Sequence, residues 1–162
     1  MSREHLLLEN QICFRVYSLE KAIMAAYKPL LGTLGVTYPQ YLVLLILWER
    51  GEASVGGLCG LLGLDTGTVS PLVKRMEKAR LVKRERPPSD ERTVMVRLTE
   101  EGRALRERAQ HIPTAIASCF APEGKPFDGV AYRRLREILD EALLALQGHD
   151  ACTNDSHDSI FH

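Results

Sequence analysis

The feature that most constrains the fold is a run of two short helical patterns followed by two strand patterns, from Ser54 to Thr99. Ser54 is a good N-cap for "SVGGLCGLLGL", which should break at Gly63, and Asp65 is a good N-cap for "TGTVSPLVKRMEKARL". "LVKRER" and "TVMVRLT" then alternate with the period of strands around the loop "PPSDER". This order predicts a helix-turn-helix with a basic hairpin, the wing of a winged helix.

The second of these helices has two unlike faces. Its apolar stripe should be buried and consists of Val69, Leu72, Val73 and Met76. Its opposite face is polar and basic, with Thr66, Thr68, Ser70, Lys74, Arg75 and Lys78. Although the whole chain has 21 basic and 21 acidic residues, basic residues exceed acidic ones between Asp65 and Arg97. A basic helix face by itself is more often solvated surface, but with the preceding helix and the basic hairpin it predicts DNA binding.

Long amphipathic helices flank this module. Apolar positions at 3–4 spacing predict one helix over residues 4–31, ending near Gly32 or Gly35, and another over residues 127–147. The helix "TYPQYLVLLILWER" is apolar nearly all round, with Pro39 in its first turn, and should be central. Thr99 should start a helix that runs toward Cys119 and is kinked by Pro113. Apolar terminal faces with no further domain to cover them predict a homodimer.

We therefore expect a mainly α protein with a small β-hairpin, a winged helix-turn-helix with long N- and C-terminal dimerisation helices. Residues 1–147 should form one domain, with a DNA-binding core at about 50–99 between dimerisation helices at about 4–31 and 100–147, and 148–162 should be a disordered tail. No secretory signal or membrane-length apolar run is evident, so we expect a cytoplasmic protein without a membrane partner.

Enzyme and metal motifs are missing from the sequence. There is no Walker loop, GxGxxG or HExxH pattern, so we expect no enzyme and no cofactor. The four cysteines are far apart and form no CxxC pair, so neither a zinc ribbon nor a disulfide framework is indicated. Each cysteine is then either a small buried side chain or a reactive thiol, and packing is the ordinary interpretation of Cys59.

From Asp65 to Gly102 the sequence resembles the MarR family of winged-helix regulators, and the D-x-R within "SDER" matches that family's wing signature. "LENQICFRVY" and the residues after it, to Trp48, resemble more narrowly the OhrR branch of organic-peroxide-sensing repressors. The resemblance implies DNA contacts from Thr66, Thr68, Ser70, Pro71, Lys74, Arg75, Asp90 and Arg92. It also implies a peroxidatic Cys13, surrounding tyrosines at Tyr17, Tyr27 and Tyr38, and an intersubunit disulfide with Cys119.

Helix geometry gives separate information on which tyrosines can contact Cys13. Tyr17 is one turn from Cys13 on the same face, whereas Tyr27 is ~21 Å further along a continuous helix. A contact between Cys13 and Tyr27 therefore requires two chains whose helices cross antiparallel. Phenol hydroxyls that donate to the sulfur would favour the thiolate, the form that attacks a peroxide. From the residues alone, interface packing stays open as the role of Cys13.

The resemblance implies a repressor that binds a palindromic operator as a homodimer and releases it when an organic hydroperoxide oxidises Cys13. Two other functions remain open at this point. One is a MarR-type repressor released by a noncovalent aromatic ligand, with Cys13 a bystander. The other is a small thiol peroxidase, in which a basic wing would have no purpose.

Overall fold

The computed structural model describes residues 6–88, 92–121 and 127–154, and their side chains up to residue 148. Its helices are α1 (Ile12–Leu34), α2 (Tyr38–Arg50), α3 (Val55–Leu62), α4 (Thr66–Lys78), α5 (Glu100–Ala109), α6 (Ile112–Ser118) and α7 (Gly129–Asn154). Its strands are β1 (Glu52–Ser54), β2 (Val82–Glu85) and β3 (Met95–Leu98), which form one antiparallel sheet in the order β1-β3-β2. The predicted fold class, mainly helical with a β-hairpin wing, is confirmed.

The first helix begins later than predicted. Leu8–Asn10 form a short 3₁₀ turn, Gln11 is extended, and α1 starts only at Ile12. Over so few residues, a 3₁₀ turn and an α-helix share nearly the same apolar spacing, so the periodicity did not separate them. The predicted end is confirmed, because Gly35 closes α1 in the left-handed conformation with φ of 69°.

The central helix and the helix-turn-helix are confirmed in detail. Thr37 and Gln40 form a capping box on α2, whose Tyr41, Val43, Leu44 and Leu47 are buried. Ser54 accepts a hydrogen bond from the Gly57 N–H and caps α3, which ends at Gly63 with φ of 63°. The apolar stripe of α4 is buried as predicted.

The sheet has one strand more than the sequence predicted. β1 pairs with β3 through Glu52–Arg97, Ala53–Val96 and Ser54–Met95, while β2 pairs with the other edge of β3. Three residues are too few to show strand periodicity, so β1 becomes a strand only because β3 lies beside it.

The helix predicted to run from Thr99 toward Cys119 is broken before Pro113. α5 ends at Ala109 and α6 starts at Ile112, so Pro113 lies in the first turn of a new helix instead of kinking a continuous one. Proline is well tolerated there because the N–H groups of a first turn have no helical partner.

The last helix is longer than predicted. α7 continues to Asn154, so residues 148–154 are helical and not a disordered tail, while residues 155–162 lie outside the described part of the chain. Gly148 weakens a helix by only about 1 kcal/mol, which is not enough to end it.

The chain divides into two compact units, Met1–Ile116 and Ala117–His162. In the described residues no single helix is long and apolar enough to cross a membrane. The bent pair of α1 and α2 reaches that length and apolarity together, but α2 is a core helix of the first unit.

Candidate nucleic-acid interface and redox site

A concave groove of about 460 Å³ lies where α4 faces the start of α3 and the wing. We call it the basic groove, because four of its lining residues are cationic and none is acidic. It is lined by Ser54, Val55, Gly56, Thr66, Ser70, Lys74, Arg84, Arg86, Arg92, Thr93 and Val94. Cations, hydroxyls and backbone amides in one concave surface are the groups that contact nucleic-acid phosphates.

The N-terminus of α4 is fixed by its cap. The Asp65 carboxylate accepts hydrogen bonds of 2.9 Å from both the backbone N–H and the hydroxyl of Thr68. These bonds lower the pKa of Asp65, the hydroxyl of Thr68 having the largest effect. Because the Thr68 hydroxyl donates to the cap, it has only acceptor capacity left for a ligand.

The wing is held together by ion pairs that cross all three strands. Arg97 on β3 donates to Glu52 on β1 and, at 3.0 Å, to Glu85 on β2. Glu85 also pairs with Lys83 at 2.6 Å, which is the main reason that the pKa of Glu85 is lowered. Contact with Glu52 raises the pKa of Arg97 in turn. The charges of Lys83 and Arg97 are therefore balanced within the wing.

The predicted sensor cysteine lies near the start of the first unit. Cys13 is exposed in the first turn of α1, and Tyr17, one turn further on, is 55% exposed with the Lys21 ammonium 5.2 Å from its ring centre. Cys119 is also exposed and directly follows α6, in the second compact unit. Both thiols are accessible in the single chain.

The other two predicted tyrosines form a cluster of their own. The rings of Tyr27 and Tyr38 are 4.8 Å apart, and Tyr27 is 6.0 Å from the buried Tyr41. Burial raises the pKa of Tyr38. Tyr41 in turn lies 6.2 Å from Trp48, whose indole N–H donates to the Gly102 carbonyl at 2.9 Å. The aromatic rings thus connect α1 and α2 to the start of α5.

Comparisons with known proteins agree on the family. Residues 25–108 match the family model described as transcriptional regulator SarA/Rot. The organic hydroperoxide resistance transcriptional regulator of Bacillus subtilis is 44% identical over 75% of this chain and 83% of its own. A MarR family transcriptional regulator from Rhodococcus is 27% identical with a TM-score of 0.71, covering 84% of this chain and 94% of that one. The chain belongs to the MarR-type winged-helix transcriptional regulators.

One MarR-type relative has been solved in several redox forms. AbfR of Staphylococcus epidermidis, reduced and bound to DNA, is 36% identical with a TM-score of 0.71, covering 90% of this chain and 99% of AbfR. Its disulfide form is 32% identical with a TM-score of 0.61, covering 92% and 96%. A DNA-bound state and a disulfide state thus both occur on this fold.

The structure brings together four of the residues predicted to contact DNA in this MarR-type chain. Thr66, Ser70, Lys74 and Arg92 line the basic groove. Thr68, Pro71 and Arg75 are exposed on α4 outside its lining, and Asp90 lies outside the described residues. Cys59 is half-buried with its sulfur 3.7 Å from the Thr66 hydroxyl, which fits the packing role predicted for it.

Sequence reasoning missed Arg84, Arg86 and Tyr41. Arg84 and Arg86 line the basic groove beside Lys74. Their spacing of two in "VKRER" predicts that they share one face of a strand, and this pattern in the sequence was overlooked. Tyr41 belongs to the tyrosine cluster but is almost fully buried, and its position within an apolar run gave no sign of that contact.

Proposed function

We propose that this MarR-type protein is a cytoplasmic, homodimeric repressor that senses organic hydroperoxides by oxidation of Cys13 and then leaves a palindromic operator. The observation that carries the proposal is an exposed Cys13 on α1 in a chain that also has the basic groove. The name of the Bacillus subtilis relative and the redox forms of AbfR support it. The basic groove argues for a regulator and against a thiol peroxidase, which has no use for DNA contacts.

The chemistry requires two thiols and one hydroperoxide. The Cys13 thiolate attacks the outer oxygen of the hydroperoxide, the O–O bond breaks, and an alcohol leaves once protonated. Cys13 is now a sulfenic acid. The thiol of Cys119 of the partner subunit attacks its sulfur, and a disulfide forms with loss of water. A thiol reductant returns both cysteines to the starting state.

The surroundings of Cys13 favour an organic peroxide over hydrogen peroxide. Ile12 is 72% exposed and Val16 is exposed, while Phe14 is half-buried. These side chains offer apolar surface to an alkyl group close to the thiol. Hydrogen peroxide has no such group and gains nothing from the contact.

Oxidation would be coupled to DNA release through geometry. A disulfide requires Cα atoms within about 7 Å, so its formation fixes the helices that carry the two cysteines at one separation. In a dimer, a rigid-body shift of these helices moves the two winged modules away from half-sites one helical turn apart. Loss of this spacing weakens operator binding.

Non-reducing gel electrophoresis tests the proposal, with wild type, Cys13→Ser and Cys119→Ser exposed to stoichiometric cumene hydroperoxide and DNA binding measured on the same samples. We expect a dimer-sized band and DNA release in wild type, no band in either variant, and no release in Cys13→Ser. Cys59→Ser is the matched control and should behave as wild type.

Other outcomes have separate meanings. If wild-type mobility and binding are unchanged by peroxide, Cys13 is a packing residue and a ligand-released MarR-type repressor takes the place of the sensor. If Cys119→Ser still releases DNA while Cys13→Ser does not, Cys13 is the sensor but Cys119 is not needed for the response.

A further inference from the structure

Arg84, one of the residues that line the basic groove, is paired with Glu77 of α4. Its backbone N–H donates to one oxygen of Glu77 at 3.1 Å, and its Nε donates to the other at 2.8 Å. Its Nη2 lies 2.7 Å from that second oxygen. A cation and a backbone N–H of β2 are thus both held by one carboxylate of α4.

The chain between these residues makes a tight corner. Arg80 has φ of 59°, and α4 is closed by hydrogen bonds from the Arg80 N–H to the Glu77 carbonyl and from the Leu81 N–H to the Met76 carbonyl. This pair of bonds is the Schellman arrangement, with an arginine where glycine is usual. The backbone therefore turns directly from α4, the recognition helix that carries the predicted DNA contacts, into the wing. The contact of Glu77 with Arg84 spans that turn.

The same contact has an electrostatic cost for a DNA-binding protein. Glu77 is charged at neutral pH, as a glutamate ordinarily is, and the hydrogen bond from Arg84 lowers its pKa further. A carboxylate close to a phosphate-binding groove repels phosphates, and it balances the charge of Arg84. Its presence is favourable for binding only if the geometry that it imposes outweighs the charge that it adds.

We infer that Glu77 is a positioning residue for DNA binding, whose carboxylate clamps Arg84 and so sets the angle between the recognition helix and the wing. Arg84 then serves as the second half of the clamp and not as a phosphate contact. Lys74 on α4 and Arg92 at the wing are held in one groove by this clamp. The inference rests on the proposed binding of DNA but is independent of the redox chemistry.

A clamp and a purely electrostatic effect predict opposite changes in operator affinity for Glu77→Gln. Removing a negative charge should tighten DNA binding if the residue acts only through its charge. If it acts as a clamp, operator binding should weaken, by about fivefold for a partly exposed ion pair. Binding to unrelated DNA should stay equal or become tighter, because Arg84 is released as an extra cation.

The test uses the full chain under reductant, with an operator duplex selected from a random pool by the wild type and a scrambled duplex of the same length and composition. Dissociation constants are measured over a series of salt concentrations for wild type, Glu77→Gln, Arg84→Lys, Arg84→Gln and the double variant Glu77→Gln/Arg84→Gln. Glu49→Gln, an exposed carboxylate at the end of α2, is the matched control for loss of one negative charge. Thermal unfolding of every variant confirms that it is folded.

We expect Arg84→Lys to weaken operator binding although it keeps the charge, because lysine lacks the planar fork that engages both Nε and Nη2 contacts. Arg84→Gln should also weaken operator binding. The slope of log affinity against log salt concentration should stay as in wild type, whereas loss of a phosphate contact would reduce that slope by about one. The double variant should bind the operator about as tightly as whichever single variant binds it less tightly, because both substitutions remove the same contact.

The inference is overturned if Glu77→Gln binds the operator as tightly as wild type or more tightly, or if Arg84→Gln reduces the salt slope by about one. It is also overturned if the two single effects simply add. Failure of the proposed function looks different, since the wild type would then select no duplex that it prefers to the scrambled one.

Discussion

The winged part of the chain, which we define as α2 to α5 (residues 38–109), and the two long terminal helices α1 and α7 differ in where their apolar side chains lie. In the winged part, α2 and α4 bury Tyr41, Val43, Val69 and Met76 almost completely. Along α7, none of the described side chains is buried, and Leu144 is 70% exposed. The winged part therefore has its own core, to which the end of α1 adds Leu31 and Leu34. In contrast, α7 and the start of α1, where Ile12 is 72% exposed, present apolar surface that the described residues do not cover.

This difference in burial suits the two parts to different functions. A module with its own core keeps its shape when its surroundings change, and it carries the basic groove. Helices that need a second copy to bury their apolar faces respond to anything that alters that copy's position. The proposed sensor Cys13 lies at the start of α1. In the proposed mechanism, oxidation therefore shifts the terminal helices, and the winged part moves with them as a unit.

The largest effect is expected from a charge on the uncovered face of α7. Leu143→Glu should convert the dimer to a monomer, because a buried unpaired carboxylate opposes association. Independent half-site binding should then weaken operator affinity by roughly 100-fold or more. Light scattering and a DNA titration measure the two quantities.

The matched control is Glu141→Gln, about 200° away around the same helix, which should remain dimeric. A Leu143→Glu protein that stays dimeric with full operator affinity would show that this face is not an interface, and the comparison between the two parts would fail.

Inside the winged part, Gly102→Ala should be strongly destabilising. A Cβ there would lie 2.0 Å from the Leu81 carbonyl oxygen, and backbone cannot move aside as a flexible side chain can. We expect a loss of about 3 kcal/mol in the free energy of unfolding, measured by urea denaturation. Gly60→Ala, in α3 with open space around it, should instead gain about 0.5–1 kcal/mol. Equal changes in the free energy of unfolding for Gly102→Ala and Gly60→Ala would contradict close packing of α5 against the backbone at Leu81.

The basic groove is tested by Lys74→Gln. Loss of one phosphate contact should reduce the slope of log affinity against log salt concentration by about one. It should also weaken binding to all DNA sequences alike. Lys28→Gln, an exposed residue on α1, should change neither quantity. A wild-type salt slope in Lys74→Gln would remove this residue from the DNA interface.

The smallest effect concerns the cap of α4. Because the pKa of Asp65 is lowered from 3.8 in the folded state, its contribution to stability is present above that value and is lost as the pH falls through the lowered pKa. Asp65→Asn keeps a capping side chain but does not titrate. Urea midpoints followed in acid should therefore fall less steeply in the variant. A parallel fall in both proteins would show that the charge of Asp65 adds nothing to the cap.

The winged part was the easier one to predict from sequence. Ser54, Asp65 and Gly63 mark helix ends through local hydrogen bonds and backbone conformation, and these depend on neighbouring residues only. The apolar stripe of α4 was also visible as a periodic pattern. In contrast, β1 and the break before α6 depend on distant residues or on the position of one proline in a helix turn, and both were missed.

The candidate site divides in the same way. Thr66, Ser70 and Lys74 were predicted from the sequence to share the polar face of α4, because a helix fixes which residues share a face. All three line the basic groove. The roles of Cys13, Cys119 and Tyr17 stay predictions, since they require a second chain. Tyr27 is ten residues beyond Tyr17 on α1, about 15 Å along one helix, and this separation follows from the helix rise. The contact of Tyr38 with Tyr27 depends on the corner between α1 and α2, which no periodicity describes.

The sequence by itself determined most of the helices, their caps and the wing, because these follow from interactions within a few residues along the chain. Only the tertiary structure decided that Arg84 faces Glu77 across the corner after α4 and that Tyr41 joins the tyrosine cluster. Those contacts join separate elements, and their distances depend on how whole helices and strands pack. Local periodicity carries no information about that packing.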